Sequence, residues 1–158
     1  MNPKFSVEDS QNLLEPWLAV IGLITVMWSS VERKIDECVV VLFEDSNGKN
    51  KPLTLSRKLE FIRKKLPLTN LSIENIDEVF KATKDVAQVR DVCVHGVIES
   101  YDSEKMVIGK VQGKSQGYKI EMFTFGEKRL HSAGRNLTNL NSVWERLFGE
   151  IYAAAGNG

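Results

Sequence analysis

RDVCVHGVIES, residues 90–100, is the stretch on which the reading of the whole chain turns. Up to His95 the apolar residues recur at helical spacing. After Gly96 they alternate, and a period near 3.6 gives way to one near 2. A glycine at such a junction stops a helix. The stretch therefore predicts a long helix ending at its own centre and a β segment starting there. It also gathers Arg90, Asp91, Cys93 and His95 within six positions, in a chain with only two histidines.

Working back from Arg90, Ile73, Ile76, Val79, Phe80, Thr83, Val86, Ala87 and Val89 share one periodicity and predict a helix from about Ser72 to Val94. Before it, LTLSRKLEFIRKKLP sets Leu55, Leu59, Ile62 and Leu66 on a clean stripe ended by Pro67. A longer pattern, with Val20, Leu23, Ile24, Met27, Val31, Ile35, Cys38 and Leu42, runs from Trp17 to about Phe43. Its first half is apolar almost all round, which predicts a central, buried position. Pro16 suits the first turn of this helix. SVEDSQNLLE before it predicts a separate short helix capped by Ser6. EDSNGKNKP, residues 44–52, reads as a loop.

Working forward, VIESY, MVIGKV and YKIEMFTF predict two or three antiparallel strands parted by DSEK and QGKSQG. Helix returns near Asn136 or Thr138, with Leu140, Val143, Trp144, Leu147 and Ile151 on one face. The expected fold is mainly α: an up-and-down helical bundle with a small antiparallel hairpin or three-strand insertion, residues 97–125, before the last helix. No repeat or long linker divides the chain, so residues 1–158 read as a single domain with loose ends at 1–6 and 155–158.

The 158-residue length suffices for a core, and the 42% apolar and 27% charged fractions are those of a globular chain. Twenty-one basic residues balance 21 acidic ones, so no global field steers the chain to nucleic acid and such binding needs a local patch. Cys38 and Cys93 are far apart, without a secretion signal, and read as reduced core thiols of a cytoplasmic protein. WLAVIGLITVMW, residues 17–28, covers about 12 positions where a membrane span takes about 20, so no membrane is expected.

Several motifs dissolve on inspection. GKVQGKS, residues 109–115, has three residues between its first glycine and Gly-Lys-Ser where a phosphate-binding loop has four. A strand-like segment follows it in place of a helix. Cys93 and His95, two apart on a helix, diverge by about 200° and make no nucleophile–base pair. No Cys/His spacing suits a metal, and no cofactor is expected. The basic face with Arg57, Lys58, Lys64 and Lys65 reads either as a phosphodiester contact or as a solvated helix face. At 90–95, Asp91 and His95 share a face, while Arg90 lies about 140° from His95. The three converge only where the helix loosens before Gly96. Without that, Asp91 and His95 simply finish a helix and Arg90 sits in a surface ion pair.

Arg90-Asp91-Val92-Cys93-Val94-His95-Gly96 resembles the signature of the HEPN superfamily (higher eukaryotes and prokaryotes nucleotide-binding domains): an arginine, often a polar residue next, then a histidine after four to six positions. WSSVERKID, residues 28–36, resembles the Trp-x3-Glu pattern on an early helix of many members. The resemblance implies a helical bundle and metal-independent RNA cleavage, often in toxins or antiviral defence effectors. His95 would then transfer protons. Arg90 would hold phosphate oxygens. Asp91 would orient the imidazole. Glu32 would either hold Arg90 in a polar cleft or be an ordinary solvated residue. One chain supplies one such histidine where the reaction profits from an acid and a base, so a homodimer is implied, with RNA as substrate and an antitoxin or regulatory protein among its partners. The competing reading is a non-catalytic, HEPN-like dimeric helical interaction or nucleotide-binding module.

Overall fold

The computed structural model describes residues 7–43, 51–66, 75–114 and 117–156. It is mainly helical, with a three-stranded antiparallel sheet between helices. The order is α1 (Val7–Leu42), α2 (Leu55–Lys65), α3 (Ile76–His95), β1 (Val97–Tyr101), β2 (Lys105–Lys114), β3 (Gly117–Gly126) and α4 (Glu127–Gly156). The backbone falls into two compact units, Met1–Val26 with Ala87–Arg135 and Met27–Val86 with Asn136–Gly158.

The regular elements described in the second unit are all helices, and its four segments touch in a closed cycle. Lys58 of α2 pairs with Asp36 of α1 at 2.6 Å. Arg63 of α2 pairs with Asp77 of α3. Phe80 of α3 stacks on Trp144 of α4 at 5.7 Å, and Ser30 of α1 donates to Asn141 of α4 at 2.9 Å. Val31, Ile35, Cys38, Leu59, Ile62, Leu137, Leu147 and Ile151 fill the space between them. Thr54 starts α2 by accepting the Arg57 N–H, leaving the helix to begin at Leu55.

Thr83 is the buried polar residue of this core, at 0% exposure. Its hydroxyl donates to the Val79 carbonyl at 2.7 Å and accepts the Trp144 indole N–H at 3.0 Å. Both groups are thereby satisfied, so the polar pair costs the core little.

The first unit holds the sheet, in the order β1-β2-β3. β2 and β3 pair without interruption from Lys105↔Gly126 to Lys114↔Gly117. β1 pairs with β2 across a bulge between Ile98 and Ser100. Residues opposite each other share a face, so Met106, Ile108 and Phe125 line the buried side. Trp17, Val92, Leu130 and Ala133 are also buried in this unit. The Trp17 indole N–H donates to the Asp102 carbonyl at 2.7 Å, tying α1 to the β1–β2 turn. In that turn the Asp102 carboxylate accepts the N–H groups of Glu104 and Lys105, both at 2.8 Å. These donors hold its carboxyl below the usual carboxylate range.

Three expectations need correction. Pro16 lies inside α1, not at the start of a second helix; lacking an N–H it removes one rung but does not stop the helix here. The first half of α1 is not buried all round: Trp17 and Ile24 are, but Leu23 is 53% and Val26 71% exposed. Gln11–Leu42 is long and apolar enough to cross a membrane by length and composition alone, a test that core helices also pass. Finally, α4 starts at Glu127 and runs to Gly156, so residues 127–135 and 155–156 are helical. Leu130, Ala133 and Leu137 continue the buried stripe of α4 backwards, and that burial outweighs Gly134 as a breaker. Ser6 and Ser72, expected at helix starts, lie outside the described residues.

Gly96 joins the helix to the sheet without a loop. Its N–H donates to the Val92 carbonyl at 2.9 Å. A Cβ placed on it would overlap Ile108 Cγ2 and stand 2.6 Å from the Val92 oxygen. Gly96→Ala should therefore lower stability by about 1–3 kcal/mol, seen as a lower urea midpoint with an unchanged slope. Thr83→Val, which strands the buried Trp144 N–H, should cost a similar amount, about 1–3 kcal/mol by the same assay.

Candidate functional site

Arg90, Asp91 and His95 occupy the last turns of α3, in the unit that holds the sheet. α3 stays α-helical through His95, so the loosening that would gather the three residues does not occur. Arg90 and His95 keep the roughly 140° separation of an i, i+5 pair on a regular helix.

Each of the three has a distinct setting. The His95 side chain is 58% exposed, with Nε2 at 3.8 Å from Asp91 Oδ1, too long for a hydrogen bond. The other Asp91 oxygen is taken by the Lys110 ammonium from β2. Asp91 is thus fixed to the sheet first and faces the imidazole second. Arg90 is half-buried, and its Nε is fully buried without a hydrogen-bond partner. The surface ion pair expected for Arg90 is absent among the described residues. Leaving such a donor unpaired costs about 1–3 kcal/mol.

The remaining expected residues belong to the all-helical unit. Glu32 is exposed on α1. On α2, Lys58 is held by Asp36 at 2.6 Å and Lys64 by Glu60 at 2.9 Å. Lys65 lies 6.0 Å from the Phe61 ring centre. Arg57 is exposed and has no ion pair among the described residues. Two of these four cations are therefore matched by acidic neighbours, which weakens the pull of the face on a phosphate chain.

The thiols are chemically quiet. Burial pushes Cys93 up to about 11 and Cys38 up to about 12. Among the described residues, no cluster of three or more His, Cys, Asp or Glu could hold a metal.

Sequence reasoning did not reveal a pocket of about 320 Å³ in the sheet-bearing unit, lined by Asn12, Leu13, Pro16, Trp17, Val20, Ser103, Glu127, Leu130 and His131. Its rim carries the second histidine, His131, whose Nε2 lies 3.5 Å from Glu127 Oε1. The signal is hidden because residues 127–135 do not read as helix from sequence, so Glu127 and His131 do not stand out as an i, i+4 pair. No family model, curated protein or solved structure matches the chain.

With both thiol groups raised, the thiolate is scarce at neutral pH and appears only as pH climbs towards 11. Buried Cys38 should therefore react with an aromatic disulfide reagent at pH 7 only as fast as the protein unfolds, and partly exposed Cys93 about 100-fold more slowly than a free thiol. Rapid labelling of the folded protein would contradict this.

Proposed function

We propose that the chain is a metal-independent endoribonuclease of HEPN type, acting in the cytoplasm as a toxin or antiviral defence effector, with Arg90 and His95 as its catalytic residues. The observation that carries the reading is the Arg90 guanidinium, whose buried Nε lacks a partner, five residues before an exposed histidine. An arginine with one donor left unpaired and an accessible imidazole are two of the parts that phosphodiester cleavage asks for.

The reaction is an internal transfer. His95 takes the proton of a ribose 2′-OH, and the oxygen attacks the adjacent phosphorus. Charge gathers on the phosphorane oxygens, where Arg90 donates to them. The bond to the 5′-oxygen breaks, and that oxygen takes a proton from His95 of a second copy, leaving a 2′,3′-cyclic phosphate and a 5′-OH. Asp91, 3.8 Å from the imidazole, limits its orientation without bonding to it. Two copies supply the base and the acid that one chain cannot.

One observation favours the second reading, a non-catalytic dimeric or nucleotide-binding module. Because α3 is regular to His95, Arg90 and His95 of one chain point apart, and Asp91 is committed to Lys110. In that case Arg90 binds a phosphate without bond breaking.

Incubation of the purified protein with mixed RNA and a chelator separates the two. The nuclease should leave 2′,3′-cyclic ends, with His95→Ala slower by about 100- to 10,000-fold and Arg90→Lys by about 100- to 1,000-fold. Equal cleavage by wild type and His95→Ala would remove His95 from the mechanism. RNA binding without cleavage, weakened by Arg90→Lys, would establish the module.

A further inference from the structure

β3 is an edge strand, and its first six residues, Gly117–Met122, are all exposed. Edge strands are ordinarily blunted by proline, bulges or brevity, because their free N–H and C=O groups invite another strand. β1, at the other edge, is interrupted by its bulge. β3 keeps ten uninterrupted pairs with β2 and contains no proline.

Its two faces differ. On one, Val111, Tyr118, Ile120 and Met122 are 58%, 87%, 60% and 58% exposed and stand together by register. Such an apolar patch marks an interaction surface. On the other face Lys119 and Glu121 alternate, and neither has an ion-pair partner among the described residues.

We propose that β3 pairs antiparallel with β3 of a second copy about a two-fold axis at Ile120, joining the two sheets into one. The charge order selects this partner and this register. With the axis at Ile120, Lys119 of each chain faces Glu121 of the other, Tyr118 faces Met122, and Ile120 faces itself. Moving the axis to Lys119 or Glu121 sets like charges against each other. A slip of one residue sets Lys119 against Ile120 and turns one apolar face over. A self-complementary strand is what a two-fold interface requires. This interface rests on β3 alone and does not depend on the ribonuclease reading.

Sedimentation velocity on the full chain tests it, with circular dichroism to verify that each variant keeps its helix content. The substituted side chains are exposed, so folding should survive. Wild type should dimerise, and I120K should be monomeric. K119E and E121K should each weaken association by about tenfold, and the double variant K119E/E121K should recover it. An equimolar mixture of K119E and E121K should pair better than either alone. A wild type that stays monomeric at 100 μM (about the upper working range), or floats with lipid vesicles as a monomer, would overturn the proposal. So would a dimer that I120K breaks but the charge variants leave unchanged, since that is face-to-face packing. RNA cleavage is a separate readout: its loss in His95→Ala with an intact dimer would concern the chemistry alone and leave the β3 interface standing.

Discussion

The close approach of β2 to the end of α3 fixes the path of the chain beyond that helix. Because Ile108 Cγ2 sits where a Cβ at position 96 would be, the strand packs directly on the last helical turn. Helix passes into strand with no loop to absorb error, and Val97 enters the sheet opposite Gly109. Lys110, the next residue of β2, then lies where its ammonium reaches Asp91. The setting of His95 is a by-product of this junction: its exposed ring stands at the last helical position before the chain turns. Gly96 thus has a packing reason to follow His95 that is independent of any chemistry.

The helical unit is organised by a different rule. Its largest fully buried side chain, Trp144, brings a polar N–H into the core and needs an acceptor there. Thr83 supplies it and at the same time returns its own proton to the preceding turn of α3. With Phe80 stacked on the same indole, one turn of α3 fixes the rotation of α4 against it. Ion pairs at the rim, Lys58–Asp36 and Arg63–Asp77, close the remaining sides but are partly solvated and contribute less.

Much of this is legible in the chain. The change of period at Gly96 places the sheet, and the stripes of α2 and α3 place those helices to within a few residues. What escapes is governed by tertiary burial. Gly134 and the polar run before it look like a loop, yet Leu130 and Ala133 are buried and carry α4 through them. Pro16 looks like a beginning because one missing rung is invisible to the rest of a 36-residue helix. The apolar run of α1 speaks for full burial, but a sequence does not say which side of a helix the rest of the chain will cover. Of the site, the residue types are readable and their relations are not. That Arg90 Nε is buried and unpaired, and that Lys110 takes Asp91, depends on how the last turns of α3 meet β2.

The β2–β3 ladder has one further consequence. Its inner pairs, Met106↔Phe125 and Ile108↔Phe123, belong to the packed side of the sheet, whereas Val111↔Ile120 and Gly113↔Tyr118 hold no buried residue. The outer half of the arm is therefore free to vary without endangering the core. Lengthening it by one residue on each strand, or exchanging its exposed side chains, changes the surface this protein displays while leaving its folding alone. Two duplicated genes for such a chain could drift apart in the arm first and display different surfaces while both still fold.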